Sequence, residues 1–175
     1  DTLVLQNEIS GIPHIMKAAK GRGMRIVFNT SPFVPEIMNY PLETVDMFVV
    51  NEIEGEALAG RREPDGICDE LRRRYPAAEV LLTLGHRGAI FASGDERTYQ
   101  PACEVPVVDT TAAGDTFTGY FLSWYLDGNN PAEALRAATM AAAIAVSRPG
   151  AAASIPRREE VLERLEETAY APSPG

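Results

Sequence analysis

The sequence predicts an α/β fold in which a mostly parallel sheet is covered by helices. Short apolar runs alternate along the chain with segments of helical spacing, which is the pattern of βαβ units. Glycine, proline and asparagine stand at many of the borders between these segments. The very short connections that allow hairpins occur only in the middle of the chain, so antiparallel strands are expected at one edge of the sheet.

The predicted strands are short segments rich in apolar residues and bounded by turn residues. The first and the last of them are expected to be buried, and the last is expected to lead directly into Asp109. In order, the strands are Thr2–Gln6, Arg25–Asn29, Met47–Val50, Glu79–Leu84, Ala89–Ala92, Thr98–Gln100 and Glu104–Val108. The tight turns Gly85–Gly88 and Gly94-Asp95 connect the middle strands.

The predicted helices follow from apolar residues at helical spacing and from residues that begin or end helices. Asn51 begins one helix and Gly60 ends it, Gly21 ends another, and Pro131 suits a first turn. In order, the helices are Ile12–Arg22, Asn51–Leu58, Gly66–Tyr75, Gly114–Leu126, Ala132–Val146 and Arg157–Thr168. A loop is expected over Arg148–Ile155 and a disordered tail over residues 171–175.

Composition limits the classes of function. The chain has 175 residues with 16 Lys+Arg against 25 Asp+Glu, a net charge of −9, which argues against nucleic-acid and anionic-membrane partners. Two distant cysteines suggest neither disulfides nor a zinc site, and a cytoplasmic location is expected. One domain is predicted over residues 1–170. Because the first strand has no lead-in and an initiator Met is absent, we expect this chain to be the later part of a longer protein.

The segment Val107–Gly119 carries the sharpest chemical pattern. A loop of small residues follows Asp109, and a helix begins near Gly114, so backbone amides of residues 112–114 are expected at a helix N-terminus, where they would bind an anion such as phosphate. Asp115 follows in the first turn. A carboxylate beside a phosphate site suits a base that accepts a proton from an alcohol. The alternative is that Asp115 merely stabilises the helix N-terminus.

Three motifs resemble those of the ribokinase-like carbohydrate kinases, the pfkB family. Asp109–Gly119 (DTTAAGDTFTG) is similar to the family's C-terminal signature. Asn51–Glu54 (NEIE) resembles its N-x-x-E motif, and Thr83–Gly88 (TLGHRG) resembles its nucleotide-binding T-x-G-x-x-G turn. The resemblance extends from about Leu3 to Glu167 and implies a three-layer α/β/α fold with helices on both faces of the sheet.

The resemblance implies a role for each matching position. Asp115 corresponds to the catalytic base, and Gly114, Ala113 and Ala112 correspond to the anion hole for the transferred phosphoryl group. Asn51 and Glu54 correspond to residues that organise Mg²⁺ near ATP. The residues alone, without the resemblance, predict that Asn51 is an N-cap and that Glu54 is an exposed helix residue.

Further positions correspond to nucleotide contacts: Thr83, Gly85, Gly88 and Thr139. For the two glycines the alternative is a plain hairpin turn. For Thr139 it is a hydroxyl bonded back to the preceding helical turn.

Many members of the family also bind a monovalent cation such as K⁺, and Glu8 corresponds to a residue that reaches sugar hydroxyls. The positions matching the cation site are Asp109, Thr111, Ala145, Arg148, Gly150 and Ser154. Asp109 could instead anchor its own loop, and Glu8 could be a surface carboxylate at the end of a strand.

The resemblance therefore implies an ATP-dependent kinase that phosphorylates a sugar hydroxyl. Kinases of nucleosides or hydroxymethyl vitamins and a non-catalytic nucleotide-binding fragment are the alternatives. The family's N-terminal half, which holds a sugar pocket and a small β lid that often builds a homodimer, is absent from this sequence.

Overall fold

The computed structural model describes residues 1–170, without the side chains of residues 169 and 170. These residues form two compact units. The first contains Asp1–Gly85 and Ile90–Thr98, and the second contains His86–Ala89 and the chain from Tyr99 onward. The tail predicted at residues 171–175 lies outside the described residues.

The first unit is built on a mixed sheet with the strand order β1-β2-β3-β4-β5-β6. The first four strands pair in parallel, and the two-residue turn between β5 and β6 requires antiparallel pairing. The strands are β1 Thr2–Gln6, β2 Arg25–Asn29, β3 Met47–Asn51, β4 Glu79–Thr83, β5 Ala89–Ser93 and β6 Glu96–Gln100.

Three helices pack against the sheet of this unit: α1 Ile12–Gly21, α2 Glu52–Ala59 and α3 Pro64–Arg74. Phe28 on β2 and Phe48 on β3 are fully buried in the core between helices and sheet. The parallel pairing aligns the carboxyl ends of the strands, so that Gln6 lies beside Asn29 and Asn51 beside Thr83. Polar residues therefore gather at the carboxyl edge, where parallel sheets commonly bind ligands.

The second unit contains three further helices: α4 Ala113–Leu126, α5 Pro131–Val146 and α6 Arg158–Tyr170. The alanines of α5 allow α4 to pack closely against it, and Ala138 and Ala141 are fully buried. A capping box fixes the start of α5, because Asn130 accepts a bond from the Glu133 amide at 2.9 Å.

Two predictions about strands are wrong. Residues 104–108 form no strand, and Val107 and Val108 are 66% and 60% exposed. Pro106 has no N–H for a ladder, and the Val108 amide donates instead to the Val146 carbonyl at the end of α5. The first strand exists, but it lies at an edge of the sheet and buries only Leu5, while Val4 is 51% exposed.

Both cysteines are free thiols, and burial raises the pKa of Cys68 to about 11. Within residues 1–170, no helix combines the length and apolar character needed to cross a membrane.

Candidate active site

The start of α4 has an unusual backbone conformation. Its N-cap, Ala112, has φ 61° and ψ 7°, and it is the only non-glycine residue with positive φ in the part of the chain that the structure describes. The left-handed conformation costs a residue with a side chain about 1–2 kcal/mol. Strain of this kind is concentrated at functional sites, where the surrounding structure maintains it.

The amides at this helix start differ in their partners. The Ala113 amide donates to the Thr110 carbonyl at 3.2 Å, so it is not free. The amides of Ala112, Gly114 and Asp115 donate to no protein acceptor among residues 1–170. A Cβ built on Gly114 would meet no atom of the surrounding structure within 4 Å, so packing around its side-chain position does not require glycine. The free donors at this helix end therefore include the Asp115 amide, which the sequence did not suggest.

The Asp115 side chain is exposed and makes no hydrogen bond or ion pair with the described residues. It lines a cavity of about 330 Å³ whose wall also includes Tyr120, Trp124 and Arg158. The Arg158 guanidinium lies 4.1 Å from the centre of the Trp124 ring and bonds to Asp127 at 3.3 Å, so it is already held. Within the described part of the chain, Asp115 is thus an unpaired carboxylate next to free amides, which is what a base beside an anion site needs.

Asp109 fastens the loop that precedes α4. One carboxylate oxygen accepts the Thr111 amide at 2.8 Å, and the other accepts the Gly150 amide at 3.0 Å. The Thr111 side chain and these amides hold the pKa of Asp109 below its ordinary value. Asp109 therefore anchors its own loop, as the alternative interpretation predicted.

Hydrogen bonds bring only some of the residues predicted for the monovalent-cation site close to one another. Asp109 brings Thr111 and Gly150 together, but the hydroxyl of fully buried Ser154 donates to the Ala151 carbonyl at 2.7 Å. The Ala145 carbonyl accepts the Arg148 amide at 3.2 Å, and the Arg148 side chain pairs with Glu160. Side chains of this set therefore already have protein partners, and any cation ligands would be mainly carbonyl oxygens.

The N-x-x-E motif forms a capping box at the start of α2. The Asn51 side chain accepts the Glu54 amide at 2.9 Å, and the Glu54 carboxylate accepts the Asn51 amide at 3.0 Å. Asn51 is therefore an N-cap, which confirms the prediction made from the residues alone. Glu54 is 6% exposed, so the expectation of an exposed helix residue is wrong.

The burial and hydrogen bonding of Glu54 show whether this motif suits a metal ion. This buried carboxylate has no ion pair among the described residues, and one of its oxygens, Oε1, has no hydrogen bond there. A buried charge without a counter-charge is unfavourable, so a cation from outside the protein fits here. Residues 1–170 contain no cluster of three or more potential metal-ligating side chains. A Mg²⁺ ion held mostly by water and phosphate oxygens, with few protein ligands, suits such a site.

The nucleotide motif follows β4. Thr83, the first residue of this motif, lies opposite Asn51 across the β3–β4 pair in the first unit. Gly85 has φ +58° with open space around a built Cβ. Gly88 has φ +111°, and a Cβ there would lie 2.0 Å from the Gln100 carbonyl oxygen, so chain packing alone requires this glycine.

Thr139 lies on α5, is 5% exposed, and has a hydroxyl without any hydrogen-bond partner among residues 1–170. The alternative that its hydroxyl bonds to the preceding helical turn is therefore wrong. Its contact with a nucleotide stays a prediction.

Glu8 belongs to a hydrogen-bonded chain that the sequence did not reveal. Gln6 accepts a bond from the Asn29 side chain at 3.2 Å and donates one to Glu8 at 3.1 Å. The alternation of strand residues placed Gln6 only at the end of β1, and the pairing with Asn29 depends on strand register. The chain of amides holds the exposed Glu8 carboxylate at the carboxyl edge of the sheet.

Comparison with known proteins gives consistent results. Residues 8–158 match the model of the pfkB family carbohydrate kinases. A ribokinase of Haemophilus influenzae is 36% identical over 178 residues, covering 95% of this chain and 56% of that protein. The crystal structure of Thermotoga maritima ribokinase has a TM-score of 0.81 and 34% identity over 95% of this chain and 57% of its own.

A third structure, Arabidopsis thaliana ribokinase complexed with ribose and ATP, has a TM-score of 0.82 and 30% identity, covering 94% of this chain and 55% of its own. These similarities confirm the predicted fold class, a ribokinase-like α/β/α fold. The chain spans about half the length of the relatives it matches.

Proposed function

The chain belongs to the pfkB family of carbohydrate kinases, and from this premise we propose that it serves ATP-dependent phosphoryl transfer to a hydroxyl group of a sugar. The observation that carries the proposal is the start of α4, where backbone amides and the Asp115 carboxylate lie side by side without partners among the described residues. Amides supply positive partial charge for phosphate oxygens, and the carboxylate supplies a proton acceptor for an alcohol.

The proposed reaction is an in-line displacement. The Asp115 carboxylate accepts the proton of the acceptor hydroxyl as its oxygen bonds to the γ-phosphorus of ATP. The bond from that phosphorus to the bridging oxygen breaks, and ADP leaves with the electron pair. The amides of Ala112, Gly114 and Asp115 donate to the phosphoryl oxygens and stabilise their charge. Because the Ala113 amide has a partner, it is proposed to hold the loop rather than the phosphate.

The carboxyl edge of the first unit is proposed to serve the nucleotide. Glu54 and Asn51 would order Mg²⁺ and its waters, and the metal, when bound, neutralises phosphate charge. Thr83 and the two motif glycines are proposed to approach the nucleotide with their backbone, and Thr139 to contact its base. K⁺ is proposed at the loop that Asp109 holds, through carbonyl oxygens, with Asp109 keeping that loop in place.

A sugar acceptor is supported by the relatives, among them a ribokinase whose structure contains ribose and ATP. Glu8, held by Gln6, is proposed to accept hydrogen bonds from sugar hydroxyls. A panel of pentoses, nucleosides and hydroxymethyl heterocycles, assayed by ADP release, distinguishes the sugar from the other acceptors of the family. Turnover with nucleosides alone would contradict a sugar kinase, while ATP binding without any turnover would favour a nucleotide-binding protein.

The base assignment is tested by Asp115→Asn in the full-length protein. The amide cannot accept the proton, so kcat is expected to fall by about 10²–10⁴-fold. Calorimetric affinity for ATP should change little, because the backbone donors remain. Asp95→Asn, in the exposed β5–β6 turn, is the matched control and should leave kcat unchanged. Turnover close to that of the wild type in Asp115→Asn would refute the mechanism.

A further inference from the structure

Thr30 is a buried polar residue that immediately follows β2. Its side chain is fully buried, and its amide donates to the Val49 carbonyl at 3.2 Å, which holds its backbone against β3. Its hydroxyl donates to Oε2 of Glu54 at 3.4 Å, and this is its only side-chain bond among residues 1–170. A buried hydroxyl without a partner is unfavourable, so the pairing with Glu54 is significant for both groups.

Two donors converge on the same oxygen of Glu54. The Asn51 amide and the Thr30 hydroxyl both bond to Oε2; Asn51 is the last residue of β3, and Thr30 follows the end of β2. Oε1 receives no bond from the described residues. A carboxylate held through one oxygen by two donors has a fixed plane, and its other oxygen is left available for a metal-bound water.

Both donors are neutral, so neither compensates the charge of a carboxylate that is 6% exposed. The pair orients Glu54 but does not neutralise it, which leaves the compensation to an external cation. At 3.4 Å the Thr30 bond is long for a hydroxyl donor, and bonds in a catalytic site often tighten when the ligand binds.

We propose that Thr30 is a positioning residue for the metal–nucleotide site: its hydroxyl fixes the Glu54 carboxylate so that Oε1 accepts a hydrogen bond from the water shell of Mg²⁺. The proposal rests on the proposed ATP-dependent function and adds a residue outside the three sequence motifs. Loss of the hydroxyl should weaken the metal's contribution to nucleotide binding without altering the acceptor site.

The principal test measures metal dependence without turnover. The melting temperature of the full-length protein is followed against Mg²⁺ concentration at a fixed concentration of a non-hydrolysable ATP analogue. Thr30→Val, which keeps the shape but removes the hydroxyl, should raise the half-maximal Mg²⁺ concentration about 10-fold. Thr30→Ser should stay within about 3-fold of the wild type, because it keeps the donor. Thr44→Val is the matched control, since its hydroxyl bonds the Pro41 carbonyl at 2.7 Å away from Glu54.

A double-mutant cycle shows whether Thr30 acts through Glu54. Glu54→Gln alone should raise the half-maximal Mg²⁺ concentration, and adding Thr30→Val should raise it by less than about 3-fold more, because the carboxylate it orients is gone. Additive effects would overturn the proposal. If Thr30→Val does not fold, the comparison of Thr30→Ser with Thr30→Ala takes its place, and equal Mg²⁺ dependence in those two variants would overturn it.

Failure of the inference is distinct from failure of the proposed function. A wild-type protein that Mg²⁺ and the analogue stabilise, together with a Thr30→Val variant of the same Mg²⁺ dependence, would refute only the role of Thr30. A wild-type protein that shows no Mg²⁺-dependent stabilisation would refute the nucleotide function itself, and the role of Thr30 with it. In an activity assay, KM for the acceptor should be the same in wild type and Thr30→Val.

Discussion

The two glycines of the TLGHRG turn provide a sharp test, because the structure assigns them different reasons for being glycine. A Cβ on Gly88 would lie 2.0 Å from the Gln100 carbonyl oxygen and 2.8 Å from the Ala102 nitrogen. Main chain cannot move away as a side chain can, and φ is +111° besides. Gly88→Ala should therefore cost about 3–5 kcal/mol of unfolding free energy, the range of severe core changes. Gly85→Ala meets open space and should cost only the left-handed strain, about 1–2 kcal/mol.

Gly94 is the matched control for Gly85. Its φ is +53° against +58°, and a Cβ would again meet nothing within 4 Å, but it lies in the β5–β6 turn outside the motif. Alanine at either position should destabilise the protein equally in urea denaturation. If backbone approach to the nucleotide requires Gly85, calorimetry should show weaker ATP binding for Gly85→Ala only. A Gly88→Ala variant that loses less than about 1 kcal/mol, or equal ATP affinities for the other two variants, would refute this reasoning.

Two further perturbations test the supporting interactions. Asp109→Asn replaces one acceptor oxygen with a donor that faces an amide, so the loop joined to Gly150 should loosen and kcat should fall roughly 10- to 100-fold, while circular dichroism shows an intact fold. The bonds from Arg73 and then Arg74 lower the pKa of Glu70 from 4.5 to about 2, so its stabilisation is complete above about pH 4.5 and is lost as the pH falls toward 2. The melting temperature of Glu70→Gln should lie below that of the wild type at neutral pH, and the gap should close in acid; a constant gap would contradict this assignment.

The strands could largely be predicted from sequence because each is a short apolar run between turn residues. The bounds of β1 and β2 agree with the prediction to the residue. The failure at residues 104–108 has a local cause, since Pro106 interrupts an otherwise apolar run and removes a ladder donor. Exposure of Val4 could not be predicted, because alternation along a strand does not say whether the strand lies at an edge of the sheet.

Positions of the candidate site residues followed from their motifs, but their hydrogen bonds did not. The hydrogen bond of the Ala113 amide depends on the left-handed conformation of Ala112. Alanine rarely adopts this conformation, and no sequence pattern predicts it here. The burial of Glu54 depends on the packing of α2 against β3 and β4, and its bond to Thr30 joins residues 24 positions apart in the sequence. Hydrogen bonds between side chains and residues of other helices or strands therefore could not be predicted from the sequence.

The acidity of the chain explains why its candidate phosphate site is built from backbone. A net charge of −9 disfavours a polyanionic ligand, and the sequence has no G-x-x-x-x-G-K-[ST] motif whose lysine would offset that repulsion. Amides at a helix start supply positive partial charge without adding a titratable group. Under the proposed function, a buried Glu54 without a counter-charge among the described residues would attract a divalent cation rather than the nucleotide itself, and nucleotide binding would then depend on the metal. In such an arrangement the protein's negative charge discriminates against free nucleotide and in favour of its metal complex, because the metal removes much of the repulsion.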